Sequence, residues 1–333
     1  MGLDESELIA ALRRYWAVEA SSAEYLPVGA GSYHWSVSDR NGAAWFVTAD
    51  DLGADEATRE EIFGLLGRSL ESALSLRRDA GLDFLVTPIP ATDGAVLRRL
   101  TPRYGLSVFP MVCGTAGDFG PHRHEDVTEM VGLLAELHRA TPVVERLAPR
   151  ADLRLPGRDR LHEALRDVDR PWTGGPHAEP ARGLLAGHAG RVRRWLADLD
   201  RLIDAVGDTA TGWVVTHGEP HPGNVIRTAK GMRLIDWGTV QIAPPERDLW
   251  MLTTAFTDMI GADPVGVDDE ILAGYTEATG RVATPAGIAL YRRWWMLADI
   301  AVFIDDLRRP HGEGEDAAAA LTCLTGYLET TDD

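Results

Sequence analysis

The segment HGEPHPGN, residues 217–224, gathers His217, Glu219, His221 and Asn224, and a further acidic residue follows in MRLIDWG at Asp236. Three kinds of chemistry compete for these residues. His217, Glu219 and His221 alternate, so an extended strand would turn all three to one side, as a metal site of histidine and carboxylate ligands requires. Pro220 and Pro222 remove two ladder donors from such a strand, and Gly218 with Pro220 would break a helical zinc site. A plain turn is the second reading, because Pro, Gly and Asn cluster where a chain reverses. The third reading needs the residues that follow. Apolar Val225 and Ile226, the turn formers TAKG and then MRLIDWG predict a hairpin with Glu219 and Asn224 at its entry and Asp236 at its exit. Phosphoryl transfer uses that arrangement: a carboxylate orients the attacking hydroxyl, while Asn and Asp oxygens hold magnesium against the phosphates.

Such a hairpin must be carried by the rest of the chain. The stretch ESELIAALRRYW near the N-terminus reads as an amphipathic helix with acidic residues at its start. AEYLPVGAGSYHWSVSDRNGAAWFVTADDL then alternates apolar and polar residues between the breaks GAGS and DRNG, an antiparallel meander. Residues 55–80 carry a helical period through Ile62, Leu65, Leu66, Leu70, Ala73, Leu74 and Leu76. FLVTPIPA, AVLRRL and YGLSVFPMVCG supply further strand-like runs, and the β pattern stops at the Gly-rich CGTAGDFG. From Glu125 onward helices dominate, interrupted by the β insert that holds the hairpin, and DRPWTGGPHAEP reads as a mobile loop. The expected class is α+β: a small β-rich N-terminal lobe with an antiparallel sheet at 1–112, a hinge at 113–118, and a larger, mostly helical lobe at 119–333.

Bulk properties narrow the partners. A chain of 333 residues exceeds the usual single core. Cys113 and Cys323 are the only cysteines, which supports neither a disulfide framework nor a cysteine zinc site and suits a reducing cytoplasm. The formal net charge of -18 repels nucleic acid and anionic membrane and could draw in a cationic small molecule. No nucleic-acid or membrane partner is expected, and the chain is expected as a monomer or dimer.

HGEPHPGNVI…MRLIDWG resembles the catalytic segments of the aminoglycoside phosphotransferase family, relatives of choline kinases and eukaryotic protein kinases. His217 and Asn224 match the kinase-type spacing H-x-D-x-x-x-x-N, IDWG stands at the metal-binding Asp motif, and PPERDLW matches a downstream element through Asp248. The resemblance spans nearly the whole chain and implies a bilobal protein-kinase-like fold. It assigns Glu219 as the catalytic carboxylate, Asn224 and Asp236 as Mg2+ ligands, and His217 and Asp248 as residues that orient the loop. Gly29, Gly31 and Ser32 of GAGS would cover the phosphates of ATP or GTP, and the backbone of Pro110, Met111 and Val112 would meet the base. The acceptor would lie against the last helices, where Trp294, Trp295, Asp299 and Asp306 suit a sugar, a nucleoside or an amine-bearing antibiotic.

Two departures stand out. Glu219 occupies a position where the family has Asp, and its extra methylene moves the carboxylate by about 1 Å, a shift that can cost about a hundredfold in rate. Kinases grip the phosphates with a Lys on the third strand, yet Thr48 falls at or near that position and residues 1–100 contain no Lys. Glu71 would be the acidic partner of such a Lys, and Arg98 or Arg99 could substitute for it. The expected activity is transfer of the γ-phosphate of a Mg-nucleotide to a hydroxyl of a small molecule, an antibiotic first and a metabolic alcohol or amino alcohol second. A kinase-fold binding protein that has lost transfer is the alternative from another class.

Overall fold

The computed structural model describes residues 3–29, 31–53, 55–207 and 212–329; Ala30, the second residue of GAGS, lies outside them. Helix α1 (Glu5–Trp16) starts at Asp4, whose side chain accepts the Ser6 N–H, and keeps Glu5 and Glu7 in its first turn and Arg13 and Arg14 in its last. Both choices complement the helix dipole. Strands β1 (Ala20–Leu26), β2 (Ser32–Asp39), β3 (Ala44–Asp51), β4 (Arg98–Arg99) and β5 (Tyr104–Pro110) form one antiparallel sheet in the order β1-β2-β3-β5-β4.

Period-two alternation gives that sheet two unlike faces. Trp35 and Val37 of β2, Val47 and Ala49 of β3, and Leu106 and Val108 of β5 are buried together with Leu8, Leu12 and Trp16 of α1. Each of the larger side chains among these contributes about 1.5–3 kcal/mol. The intervening residues Ser32, His34, Phe46, Thr48 and Asp50 therefore point the other way. Helix α2 (Glu56–Asp79) follows β3, capped by Asp55, and its buried Ser69 hydroxyl donates to the Val240 carbonyl at 3.0 Å.

Three expectations need correction. FLVTPIPA makes no strand; only an isolated bridge joins Leu85 to Leu234, because Pro88 and Pro90 cannot donate to a ladder. AVLRRL reduces to the two residues of β4. The β pattern does not stop at CGTAGDFG, since β6 (Thr115–Ala116) pairs with β8 (Val225–Thr228), which pairs in turn with β9 (Gly231–Leu234).

The chain gathers into two compact units. The first joins Met1–Arg150 to Val214–Asp248, so the expected hinge segment 113–118 lies within it. Besides the sheet it contains α3 (His124–Arg139), α4 (Thr141–Val144), and β7 (Val214–Thr216) paired with β10 (Gln241–Ala243). The second unit joins Ala151–Trp213 to Leu249–Asp333. It comprises α5 (Arg158–Arg166), α6 (Ala178–Gly207), α8 (Thr254–Ile260), α9 (Asp268–Thr279), α10 (Pro285–Arg308) and α11 (Glu315–Glu329), with α7 (Glu246–Leu249) at the junction. Leu185, Val192, Leu196 and Leu199 of α6 bury against Leu290, Leu297, Ile300 and Ile304 of α10 and Leu324 and Leu328 of α11, spaced at helical intervals on each.

DRPWTGGPHAEP is not a free loop in this unit. Trp172 is buried and its N–H donates to Glu179 Oε1 at 2.5 Å. Gly174 and Gly175 lie so close to the backbone of residues 308–311 that a Cβ at either would overlap it. Among the described residues no helix is long and apolar enough to cross a membrane.

Candidate active site

Residues 217–224 leave β7 as an irregular segment, close with a single 3-10 turn at Pro222–Asn224, and run into β8. One buried carboxylate holds the start of this loop. Asp248, fully buried, accepts the His217 N–H at 2.9 Å through Oδ2 and the Gly218 N–H at 2.6 Å through Oδ1. The His138 ring of α3 lies 2.9 Å from the same Oδ2. Burial alone would raise the Asp248 carboxyl, but the bond to His138 and the positive charge of Arg247 outweigh it and hold the group below its ordinary value.

His217 uses both ring nitrogens inside the protein. Nε2 donates to the Ile235 carbonyl at 2.7 Å, and Nδ1 accepts the Glu219 N–H at 3.2 Å. Its ring also meets Trp237 edge-on at 4.7 Å. Burial pushes its pKa down despite nearby Asp248. His221 Nδ1 takes the Gly223 N–H at 3.1 Å, and burial together with His217 and His122 pushes this ring down to about 4. The alternating histidine–carboxylate metal site is thereby ruled out: the segment is not a strand, and the His217 nitrogens are already spent. Among the described residues no group of three His, Cys, Asp or Glu side chains could hold a metal alone.

Glu219 is half-buried and Asn224 is buried, its amide donating to the Glu219 carbonyl at 3.0 Å. With the amide NH2 turned inward to that carbonyl, Oδ1 is the atom of Asn224 suited to a cation. The Ile235 N–H donates to the Asn224 carbonyl at 3.0 Å, and Val225 pairs with Leu234, so the hairpin returns Asp236 beside Asn224. Asp236 itself is exposed and sits at φ 62°, a left-handed conformation that Asp tolerates better than most residues. Trp237 is fully buried, its indole N–H on the Leu234 carbonyl at 3.1 Å. Gly218, at φ 102°, leaves no room for a side chain, because Arg247 runs through the space a Cβ would take and donates to Thr216 Oγ1 at 2.9 Å.

Glu71 is exposed, and the two arginines considered as substitutes for a strand lysine are engaged elsewhere. Arg98 pairs with Asp93 and stands over the Tyr15 ring, and Arg99 bonds Glu60 at 2.5 Å and covers Phe63. Two residues that sequence reasoning passed over feel the charge of Asp236 instead. Asp50 of β3 is half-buried, and desolvation of its carboxyl raises it to about 6, with a bond from Ser32 opposing the effect and the charge of Asp236 adding to it. That bond, from Ser32 Oγ to Asp50 Oδ1 at 2.8 Å, commits the hydroxyl expected to meet phosphate. His34 of β2 is the other residue. Their signal was in the meander: residues 32, 34, 48 and 50 share the alternation parity that leaves the apolar core on the opposite face.

Asp50 carries a stability prediction. Its ordinary value of 3.8 rises to about 6, so a penalty accumulates as pH climbs between these values and is complete above them. Replacing Asp50→Asn is expected to add about 2–3 kcal/mol of stability at pH 8 and almost none at pH 4. Urea denaturation in EDTA at the two pH values measures this, and an unchanged pH 8 midpoint would contradict it.

The segment expected to meet the base is half-buried at Met111 and Val112, where the Met111 N–H reaches the Ala44 carbonyl at 3.4 Å. The acceptor candidates all lie on α10, in the second unit. Trp294 donates to the Arg154 carbonyl at 3.1 Å, Trp295 packs on Trp250 with ring centroids 5.8 Å apart, and Asp299 accepts the Tyr327 hydroxyl at 2.7 Å. Asp306 is exposed near the end of the helix. Two open cavities of this unit, about 640 and 760 Å³, are lined by Arg201, Asp268, Arg292 and Arg293 among others and by Asp152, Arg158 and Asp159 among others; neither takes in these four residues.

Residues 37–291 match the model of the phosphotransferase enzyme family known as APH, and the chain belongs to that family. It is a phosphotransferase with an alcohol group as acceptor. Among its relatives, Protein StrN of Streptomyces griseus is 28% identical over 320 residues, 93% of this chain and 87% of that protein. The fold is that of a spectinomycin phosphotransferase solved with ADP and spectinomycin, at TM-score 0.71 and 16% identity over 100% of this chain and 96% of the other. A microcompartment-associated aminopropanol kinase shares it at TM-score 0.64 and 19% identity, over 98% and 95% of the two chains.

Proposed function

We propose that this chain moves the γ-phosphate of a magnesium nucleotide, ATP or GTP, to a hydroxyl of an antibiotic that carries a sugar or amine, and so confers resistance. The observation that carries this reading is the loop 217–224, pinned by Asp248 and closed by a hairpin that returns Asp236 to Asn224. In this reading Glu219 orients the acceptor hydroxyl and takes its proton. Asn224 Oδ1 and Asp236 would hold Mg2+, which would supply neutralisation of the phosphate charge. The hard-oxygen donor set fits that ion, and so small a protein share of ligands is usual for it. Gly29, Gly31 and the backbone at Ser32 cover the phosphates, and the backbone of 110–112 meets the base. Trp294, Trp295, Asp299 and Asp306 belong to the acceptor side. The choice of an antibiotic is supported by the spectinomycin bound to the fold relative and by an acidic chain of net charge -18 that favours cationic ligands.

A screen of antibiotic classes, sugars and amino alcohols with ATP and with GTP tests this, reading nucleoside diphosphate release and phosphorylated product by mass. Nucleotide binding without transfer to any acceptor would favour a binding protein, and transfer only to amino alcohols a metabolic kinase. On the acceptor found, Glu219→Ala is expected to lower kcat by about 10²–10⁴ with little change in acceptor KM. Glu219→Asp then reports how strictly the carboxylate must be placed.

A further inference from the structure

Resting on the phosphotransferase reading, we propose that His34 grips the phosphate end of the nucleotide in place of the lysine this protein lacks. Across the β2–β3 register His34 faces Thr48, the position where that lysine falls. Its Nδ1 lies 3.2 Å from Thr48 Oγ1, and its ring stacks on Phe46 at 5.1 Å between centroids and 28° between planes. Two fixed neighbours thus set both the plane and the rotation of the imidazole. Nε2 is the nitrogen left over, and it points to the glycine turn: a Cβ on Gly29 would stand 3.4 Å from it. The ring is half-buried on the sheet face that also bears Thr48 and Asp50, away from the apolar core.

A phosphate oxygen at Nε2 selects the state in which that nitrogen carries hydrogen. The Thr48 hydroxyl serves either form, donating to Nδ1 of a neutral ring or accepting from a charged one. Burial lowers the proton affinity of the ring, and the negative charge of Asp236 restores part of it. Three arginines on or beside β4 and β5 are taken: Arg98 by Asp93, Arg99 by Glu60, and Arg103 by Asp51 at 2.5 Å. The single lysine of the chain, Lys230, stands exposed at the turn between β8 and β9. A strand imidazole is thus a donor that this sheet face offers to the phosphates.

Isothermal titration of the full-length protein with adenosine or guanosine, the diphosphate and the Mg-triphosphate tests the assignment. If the parent protein binds no nucleotide, the phosphotransferase reading itself fails, whatever His34 does. Given parent binding, His34→Ala is expected to weaken di- and triphosphate about ten- to a hundredfold, the range of a hydrogen bond to a charged group, and to leave the nucleoside unchanged. His34→Lys, which restores a cation beside Thr48, should recover triphosphate affinity, and His34→Gln should recover part of it through an amide N–H. Triphosphate binding by His34→Ala that equals the parent's overturns the proposal. So does an equal loss of nucleoside and triphosphate, which would mark a merely structural ring. Should the alanine variant not fold, Thr48→Val keeps the ring while freeing Nδ1; a nucleotide KM raised several-fold with kcat little changed supports the assignment, and an unchanged KM opposes it.

Discussion

Asp236→Asn is expected to abolish phosphoryl transfer, with a fall in kcat of about 10³ or more, while the protein stays folded. In the proposed site this carboxylate supplies the full negative charge that fixes the metal against the phosphates. Transfer of this kind depends on positioning and charge neutralisation rather than on covalent help from the protein. Asparagine keeps the shape and the tolerance for φ 62°, so the backbone at 236 is not disturbed. The side chain is exposed, and stability should change by less than about 1 kcal/mol. Asp236→Ala removes the same ligand but adds left-handed strain of about 1 kcal/mol, which separates loss of metal from loss of fold. Turnover within tenfold of the parent in Asp236→Asn, with equal Mg2+ dependence, would contradict the assignment.

Asp248→Ala is expected to act through the fold as much as through the rate. Its carboxylate takes the His217 and Gly218 N–H groups and meets His138, all in a fully buried place. Truncation takes the acceptor from two buried N–H groups and a charge partner from His138, at a cost of about 3–5 kcal/mol. Urea denaturation measures that cost. Hydrogen exchange at the amides of residues 217 and 218 should rise more than exchange in α1, because the loop opens before the sheet does. The pH dependence has a definite sign. Asp248 is held below its ordinary 3.8, so the stability it contributes is present above that value and is lost as pH falls through the lower folded value. Asp248→Ala should therefore flatten the acid limb of the stability profile. A variant that is as stable as the parent at pH 7, with unchanged exchange at 217 and 218, would show that the loop is held by something else.

The meander, α1, α2, α3, α6 and α10 were legible because each follows a strong period of two or of 3.6 residues bounded by its own breakers. What failed was weakly periodic or rich in proline. FLVTPIPA has strand composition but two prolines, and CGTAGDFG has loop composition yet pairs with β8 through a ladder only two residues long. The loop 171–178 shows why composition misleads about mobility: Pro and Gly make it irregular, and Gly is also what lets it pack directly on backbone. Within the candidate site, spacing singles out Glu219, Asn224 and Asp236, and the β8–β9 hairpin joins the last two. His34 and Asp50 were harder to see, because their importance lies in which face of a sheet they share.

From its sequence alone this protein is marked as a kinase-like α+β chain with an acidic loop, a hairpin and no strand lysine, since periodicity, turn chemistry and residue identity are all local properties. Only the folded chain decides that Asp248 clamps the loop, that Arg98 and Arg99 are bound to other acids, and that an imidazole stands beside Thr48. Those outcomes depend on register, rotamer and burial, which are set when residues distant along the chain are brought within a few ångströms of one another.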